Sequence, residues 1–169
     1  MGLCLLFTAC GSFSDNRRSG VLPSLEDRAQ QDPSLSGNGR YLASVFERGG
    51  RQTVLLQEQP SGRPVPLPQL RRHQPHHSPS LSWNGRYLGL IMHKATRRQV
   101  VVLDRLTGIV HHLPLPGQLQ VQRLSLSPDG QRVALQVLRQ GKTQVQVYDL
   151  ARLLEPDRPA GVKLPGSSR

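Results

Sequence analysis

Cysteine is almost missing from this 169-residue chain: Cys4 and Cys10 are the only two, both within the first ten residues. The remaining body can therefore carry no disulfide, no thiolate nucleophile and no cysteine-held metal. Aromatic residues are scarce at 4%, with a single tryptophan, so any core is a modest and mainly aliphatic one. Acidic residues are outnumbered, 11 against 22 Lys and Arg, leaving a formal net charge of +11. No apolar run approaches the roughly 20 residues that a helix needs to span a bilayer. There is also no G-x-S-x-G elbow, no P-loop and no G-x-G-x-x-G after a strand, so no catalytic residue and no cofactor site is expected.

What is abundant is repetition. Ser34-Leu-Ser-Gly-Asn-Gly-Arg-Tyr-Leu42 returns as Ser80-Leu-Ser-Trp-Asn-Gly-Arg-Tyr-Leu88, and more loosely as Ser125-Leu-Ser-Pro-Asp-Gly-Gln-Arg-Val133. The turn glycines Gly39, Gly85 and Gly130 stand 46 (85 − 39) and 45 (130 − 85) residues apart. A period of about 40–50 residues signals one structural unit stacked on copies of itself. Asn-Gly and Asp-Gly between apolar runs predict type I′ hairpin turns, whose two central residues both need positive φ.

Each copy then reads as four short strands. The first ends at Leu35, Leu81 or Leu126, and the second begins just after the turn glycine. Val54, Val100 and Val145 mark the third strand, all 15 residues past the glycine (54 − 39, 100 − 85, 145 − 130). Pro64-Val-Pro-Leu67 and Ile109-Val-His-His-Leu113 are the fourth strands of the first two copies. Proline there suits an edge position, because it cannot donate to a ladder. The third copy carries Ala151 to Pro159 as an insertion before its own fourth strand, Gly161-Val-Lys-Leu164. Leu42, Leu88 and Val133 are expected to be buried equivalents, beside Val54, Val100 and Val145. Trp83, Tyr41 and Tyr87 take repeat-core positions. Asp104 and Asp149 end equivalent third strands, where a short carboxylate can cap the following turn, and Glu58 holds that place in the first copy.

Ser78-Pro-Ser-Leu-Ser-Trp-Asn-Gly85, Val100-Val-Val-Leu-Asp104 and Thr107-Gly108 resemble the propeller repeats of TolB-like periplasmic proteins and other WD-like propellers. Ser127-Pro-Asp-Gly130 and Tyr148-Asp149 are closer still to that signature. The resemblance covers about residues 32–165. It implies an all-β fold: a partial β-propeller of three four-stranded antiparallel blades, at about 32–77, 78–120 and 121–165, with a tail at 166–169. Rings of this kind usually close with four to eight blades. Three blades leave two end faces, to be covered by dimerisation as three plus three, by another propeller-like chain, or by collapse into an open stack. Gly20-Val-Leu-Pro23 resembles Gly161-Val-Lys-Leu-Pro165 and could pair with an edge strand.

The leader Leu3-Cys-Leu-Leu-Phe-Thr-Ala-Cys10-Gly11 resembles a bacterial lipoprotein signal, with Leu6 to Cys10 as the lipobox. This implies a signal peptide over 1–9, lipidation of Cys10, a polar tether over 10–31 and a membrane-anchored protein of the bacterial periplasm. Phe7 replaces the usual leucine and no basic n-region precedes the apolar run, which a start codon placed too late would explain.

Part of the positive charge follows the repeat. Nine residues past each turn glycine stand Arg48, Lys94 and Arg139, and twelve past stand Arg51, Arg97 and Lys142. All six fall between second and third strands, so stacked blades would line them along one rim able to attract phosphates or acidic partners. The TolB-like resemblance implies Arg at the first of these positions, where the other reading is a role in the turn alone. Aromatic residues are not interleaved with the cations, which argues against nucleic-acid stacking. The histidines of Arg71-Arg-His-Gln-Pro-His-His77 are expected in a solvated connector, and His93 at a loop flank. His111 and His112, adjacent on a strand, point to opposite faces and cannot share a metal, so no metal site is expected. The leading functional expectation is a non-enzymatic protein-binding or scaffold component of the envelope. Its partner would be another envelope protein or a second copy. The alternative is a soluble basic protein that binds nucleic acid or another polyanion through the rim.

Overall fold

The computed structural model describes residues 29–71, 75–94, 97–116 and 119–159. They form three antiparallel sheets, one per repeat. The first holds β1 (Gln30–Leu35), β2 (Tyr41–Arg48), β3 (Arg51–Glu58) and β4 (Arg63–Pro64), in that order. The second holds β5 (His76–Leu81), β6 (Tyr87–Lys94), β7 (Arg97–Asp104) and β8 (Val110–His112). The third contains β9 (Gln120–Leu126), β10 (Arg132–Arg139) and β11 (Lys142–Asp149), with β11 at its edge. The expected fourth strand at 161–164, the Gly20–Pro23 segment and Cys10 all lie outside the described residues. Between the first two sheets runs a single 3-10 turn, Pro68–Leu70, which buries Leu70. Proline shortens β4 to two residues, whereas β8 has three.

Stacking follows from strand alternation, which sends successive side chains to opposite faces. Leu88, Leu90 and Met92 of β6 meet Ala43, Val54 and Leu56 of the first sheet. Tyr87 and Ile91, on the other face of β6, meet Val133, Leu135 and Val137 of the third sheet together with Val100 and Val102. The middle blade is thus apolar on both faces and covered on both. Polar bonds repeat across the two junctions. Leu81 N donates to Ser34 Oγ at 3.0 Å, and Leu126 N donates to Ser80 Oγ at 2.8 Å. Tyr41 packs on Gly85, where an added Cβ would lie 2.7 Å from the ring, and Tyr87 packs on Gly130 in the same way.

The repeat turns are wider than the two-residue hairpins expected. Leu35 pairs with Leu42 and Leu81 with Leu88, so six residues separate them, and of the turn residues only the glycines take positive φ. The preceding side chain supplies the geometry instead: Asn38 Oδ1 accepts from Arg40 N at 3.0 Å and Asp129 Oδ1 from Gln131 N at 3.0 Å. Two-residue turns with both φ positive occur one hairpin later, at Gly49-Gly50 and Gln140-Gly141.

Two core expectations need correction. Leu42 is half-buried, unlike Leu88 and Val133. Val145 is 70% exposed, whereas Val54 and Val100 are buried. The reason is position, since no fourth blade covers β11 among the described residues.

Candidate functional site

The six cations anticipated from the repeat fall into three registered pairs. Arg48 lies opposite Arg51, Lys94 opposite Arg97, and Arg139 opposite Lys142, each as the last pair before a hairpin tip. Lys94 is placed by its backbone; the other five side chains are exposed. None of those five forms an ion pair with a described acid. Like charges directly opposite one another weaken a strand pair, yet the chain repeats this arrangement in every blade.

Acidic groups are concentrated at the other end of the sheets. Glu58, Asp104 and Asp149 close third strands, Asp129 sits in a repeat turn, and Glu155 and Asp157 follow β11. The expected capping holds: Asp104 Oδ1 accepts from Leu106 N and Asp149 Oδ1 from Ala151 N. At this end the arginines find partners. Arg40 bonds Glu58 at 2.7 Å, and Arg86 bonds Asp104 at 3.0 Å and Glu155 at 2.9 Å. Burial pushes the Asp104 carboxyl up, but the Arg86 hydrogen bonds and the Leu106 N–H outweigh it and hold it below its ordinary value. At the hairpin end, Glu47 is the one acid beside a described tip, and Asp32 is engaged by the Ser78 N–H. Charge is therefore segregated along the strands, balanced at the turns and positive at the hairpins.

The insertion after β11 has a structural role that the repeat pattern did not reveal. Leu150 and Leu154 enter the core shared by the second and third blades. Asp157, buried, accepts from Ser82 Oγ at 2.5 Å, Asn84 N at 2.8 Å and Asn84 Nδ2 at 2.9 Å, while its own N–H donates to Asp129 O. Residues 150–158 thus form a strap that ties the exit of the third blade to the turn of the second.

The histidines divide. His76 belongs to the core, not to a solvated connector: it is 1% exposed, and its Nδ1 accepts from Val54 N at 3.1 Å across the first junction. His77 and His93 meet with ring centroids 5.1 Å apart and planes tilted by 50°. Burial lowers both imidazoles from their ordinary value, helped by the nearby Arg98. Among the described residues, no group of three or more His, Cys, Asp or Glu is placed to hold a metal ion.

The two ends of the stack show what an inner junction leaves over. On the outer face of the third blade, Val145 and Val147 are 70% and 65% exposed, and Ser125 is exposed as well. Ser125 stands where Ser34 and Ser80 accept a backbone N–H from the next blade (34 + 46 = 80; 80 + 45 = 125). At the other end Leu35 is 58% exposed, against 6% for Leu81 and Leu126. A Cβ on Gly39 would meet nothing within 4 Å, where Gly85 and Gly130 each carry a tyrosine.

No protein-family model matches the chain, and no curated protein sequence does. Solved structures do match. TolB from Acinetobacter baumannii superposes with a TM-score of 0.60 at 17% identity, over 74% of this chain and 31% of that one. This chain has a TolB-like propeller fold. The β-propeller domain of the trilobed protease from Pyrococcus furiosus also superposes, with a TM-score of 0.57 at 14% identity, over 79% of this chain and 44% of that one. The chain thus spans less than half the length of either structure. At these identities the likeness is one of fold, and a fold alone does not fix a function.

Proposed function

We propose that this TolB-like propeller module is a lipid-anchored component of the bacterial envelope that works by binding protein rather than by catalysis. The observation that carries the reading is that both end faces of the stack leave apolar residues uncovered, Val145 and Val147 at one end and Leu35 at the other. Ser125, Val145 and Val147 at one end present what an inner junction uses to receive the next sheet. Leu35 and Gly39 at the other end present what an inner junction uses to enter one. A further propeller-type sheet is the partner these faces fit, and a second copy of the chain is its simplest source. Two chains joined head to tail twice would make a closed six-bladed ring with both faces covered. The lipobox resemblance at Cys10 supports the anchor, and the TolB-like resemblance supports the periplasm.

Two measurements test this reading. Labelled palmitate should enter the wild-type protein and the Cys4→Ser variant, but not Cys10→Ser, which should leave the membrane fraction. Light scattering on the unlipidated Cys10→Ser protein at micromolar concentration should give the mass of a dimer. A stable monomer with no partner added would remove the second copy as the occupant.

A further inference from the structure

We propose that the cationic hairpin end is the membrane-facing surface of the protein and binds the phosphates of anionic lipid headgroups. The proposal rests on the anchored reading for its orientation and on three observations for its chemistry.

The first is the repeated cross-strand pairing of cations at Arg48–Arg51, Lys94–Arg97 and Arg139–Lys142. This pairing weakens each hairpin unless an anion lies over it. The second is the segregation of charge. Glu58, Asp104 and Glu155 sit at the opposite end of the blades, engaged with Arg40 and Arg86, and Glu47 is the one acid beside a described tip. The third is where the chain enters the fold. β1 starts at Gln30, which pairs with Phe46, two residues from Arg48. The segment leading back to Cys10 therefore joins the body at the cationic end. Gln30 lies twenty residues after Cys10 (30 − 10), and fully extended that stretch reaches at most about 70 Å. An anchor at Cys10 thus leaves the cationic end within reach of the bilayer, at the point where the tether enters the body.

The chemistry of the tips selects a surface of phosphates over a nucleic-acid strand. Gly49-Gly50 and Gln140-Gly141 occupy the described turns, with no aromatic ring on which a base could stack. They also carry no apolar side chain to insert, so contact is electrostatic and is screened by salt, with a Debye length of about 10 Å at 0.1 M.

The test uses the full chain carrying Cys10→Ser, so that no acyl chain contributes. Co-sedimentation is measured with vesicles of phosphatidylglycerol mixed into phosphatidylcholine, and with phosphatidylcholine alone. Binding to the anionic vesicles only, abolished at high salt, is the expected result. Replacing Arg48, Arg51, Arg139 and Lys142 by Gln should weaken it at least about tenfold, since each basic residue near an anionic surface contributes roughly fivefold. Replacing Arg63 and Arg152 at the turn end should change it by less than about twofold. Thermal unfolding at or above the wild-type temperature shows that the variants fold, since the rim changes remove like-charge pairs.

Equal vesicle binding by the rim variant, or no binding to anionic vesicles, would overturn the proposal. Displacement by dilute inorganic phosphate would replace the surface with a discrete phosphate pocket, and tighter binding to a single-stranded oligonucleotide would replace it with nucleic acid. Palmitate labelling of the wild type reads the anchor separately, so a failed anchor and a failed surface are told apart.

Discussion

The middle and third blades carry the same repeat in different surroundings. In the middle blade Tyr87 and Ile91 on β6, and Val100 and Val102 on β7, are buried under the third blade. Their counterparts 45 residues on are Arg132 and Gln136, on β10, and Val145 and Val147, on β11 (87 + 45 = 132; 91 + 45 = 136; 100 + 45 = 145; 102 + 45 = 147). The two β10 positions have turned polar while the two β11 positions stayed apolar. The first blade also has polar residues at the equivalent outward positions, Ser44 for Leu90 and Gln57 for Leu103 (44 + 46 = 90; 57 + 46 = 103), but both are buried, Ser44 with its hydroxyl bonded to Gln30. End units of stacked repeats need a more polar outer face to stay soluble. These two are adjusted only in part: Val145 and Val147 at one end and Leu35 at the other stay apolar and exposed.

The sharpest way to break the comparison is to truncate equivalent leucines. Leu88→Ala in the doubly covered blade should cost about 2–5 kcal/mol, the range for fully buried aliphatics. Leu42→Ala, half-buried at the end of the stack, should cost about half as much. Urea denaturation of the two variants measures the difference, and equal losses would mean that the middle blade gains nothing from its second neighbour.

Next in size is the strap. Asp157→Ala leaves the buried Ser82 hydroxyl and the half-buried Asn84 N–H without their acceptor and should cost about 1–3 kcal/mol. Hydrogen exchange should locate the loosening at the junction of the second and third blades. Protection lost evenly over all three blades would show that the strap does not favour one junction.

A smaller effect is tied to pH. His77 and His93 are held neutral by burial, so their folded pKa values lie below the ordinary value of about 6.5. The stability this contributes is present above about pH 6.5 and is lost as pH falls through the folded values. Arg98 adds repulsion to the charged forms, and Asp32 opposes it at His77. Thermal unfolding between pH 7 and 5 should therefore show a decline in the wild type that His93→Gln flattens.

The smallest change is expected on the outer face of the third blade. Val145→Thr should alter unfolding by no more than about 0.5 kcal/mol, as for an exposed site, while weakening association of the unlipidated chain in light scattering. A large loss of stability in a dilute monomer would mean that this face is covered from within the chain.

The architecture was legible because the repeat needs no gap from Gly39 to Val54 or from Gly85 to Val100, so one strand assignment carries the rest. The positions of the six cations were legible for the same reason, although they end the second strands and begin the third rather than occupy the loop between them. Val145 was misplaced because periodicity identifies equivalent positions but not whether a neighbour stands over them. His76 was misread because the proline-rich connector drew attention to composition. Its place in the repeat, 45 residues before the buried Val121 (76 + 45 = 121), held the correct signal. The strap was seen only as an interruption. Its function depends on Asp157 meeting Ser82 and Asn84, contacts more than 70 residues apart that no local pattern encodes.

The strap also sets how the molecule should respond to mechanical load. A pull between a fixed N-terminus and a bound partner enters at Gln30 and reaches the first blade before the others. That blade is joined to its neighbour by one packed face and a few polar bonds, whereas the second and third are additionally laced together by Leu154, Glu155 and Asp157. Under tension the first blade should part first and leave the laced pair intact, so the stack would yield in two steps.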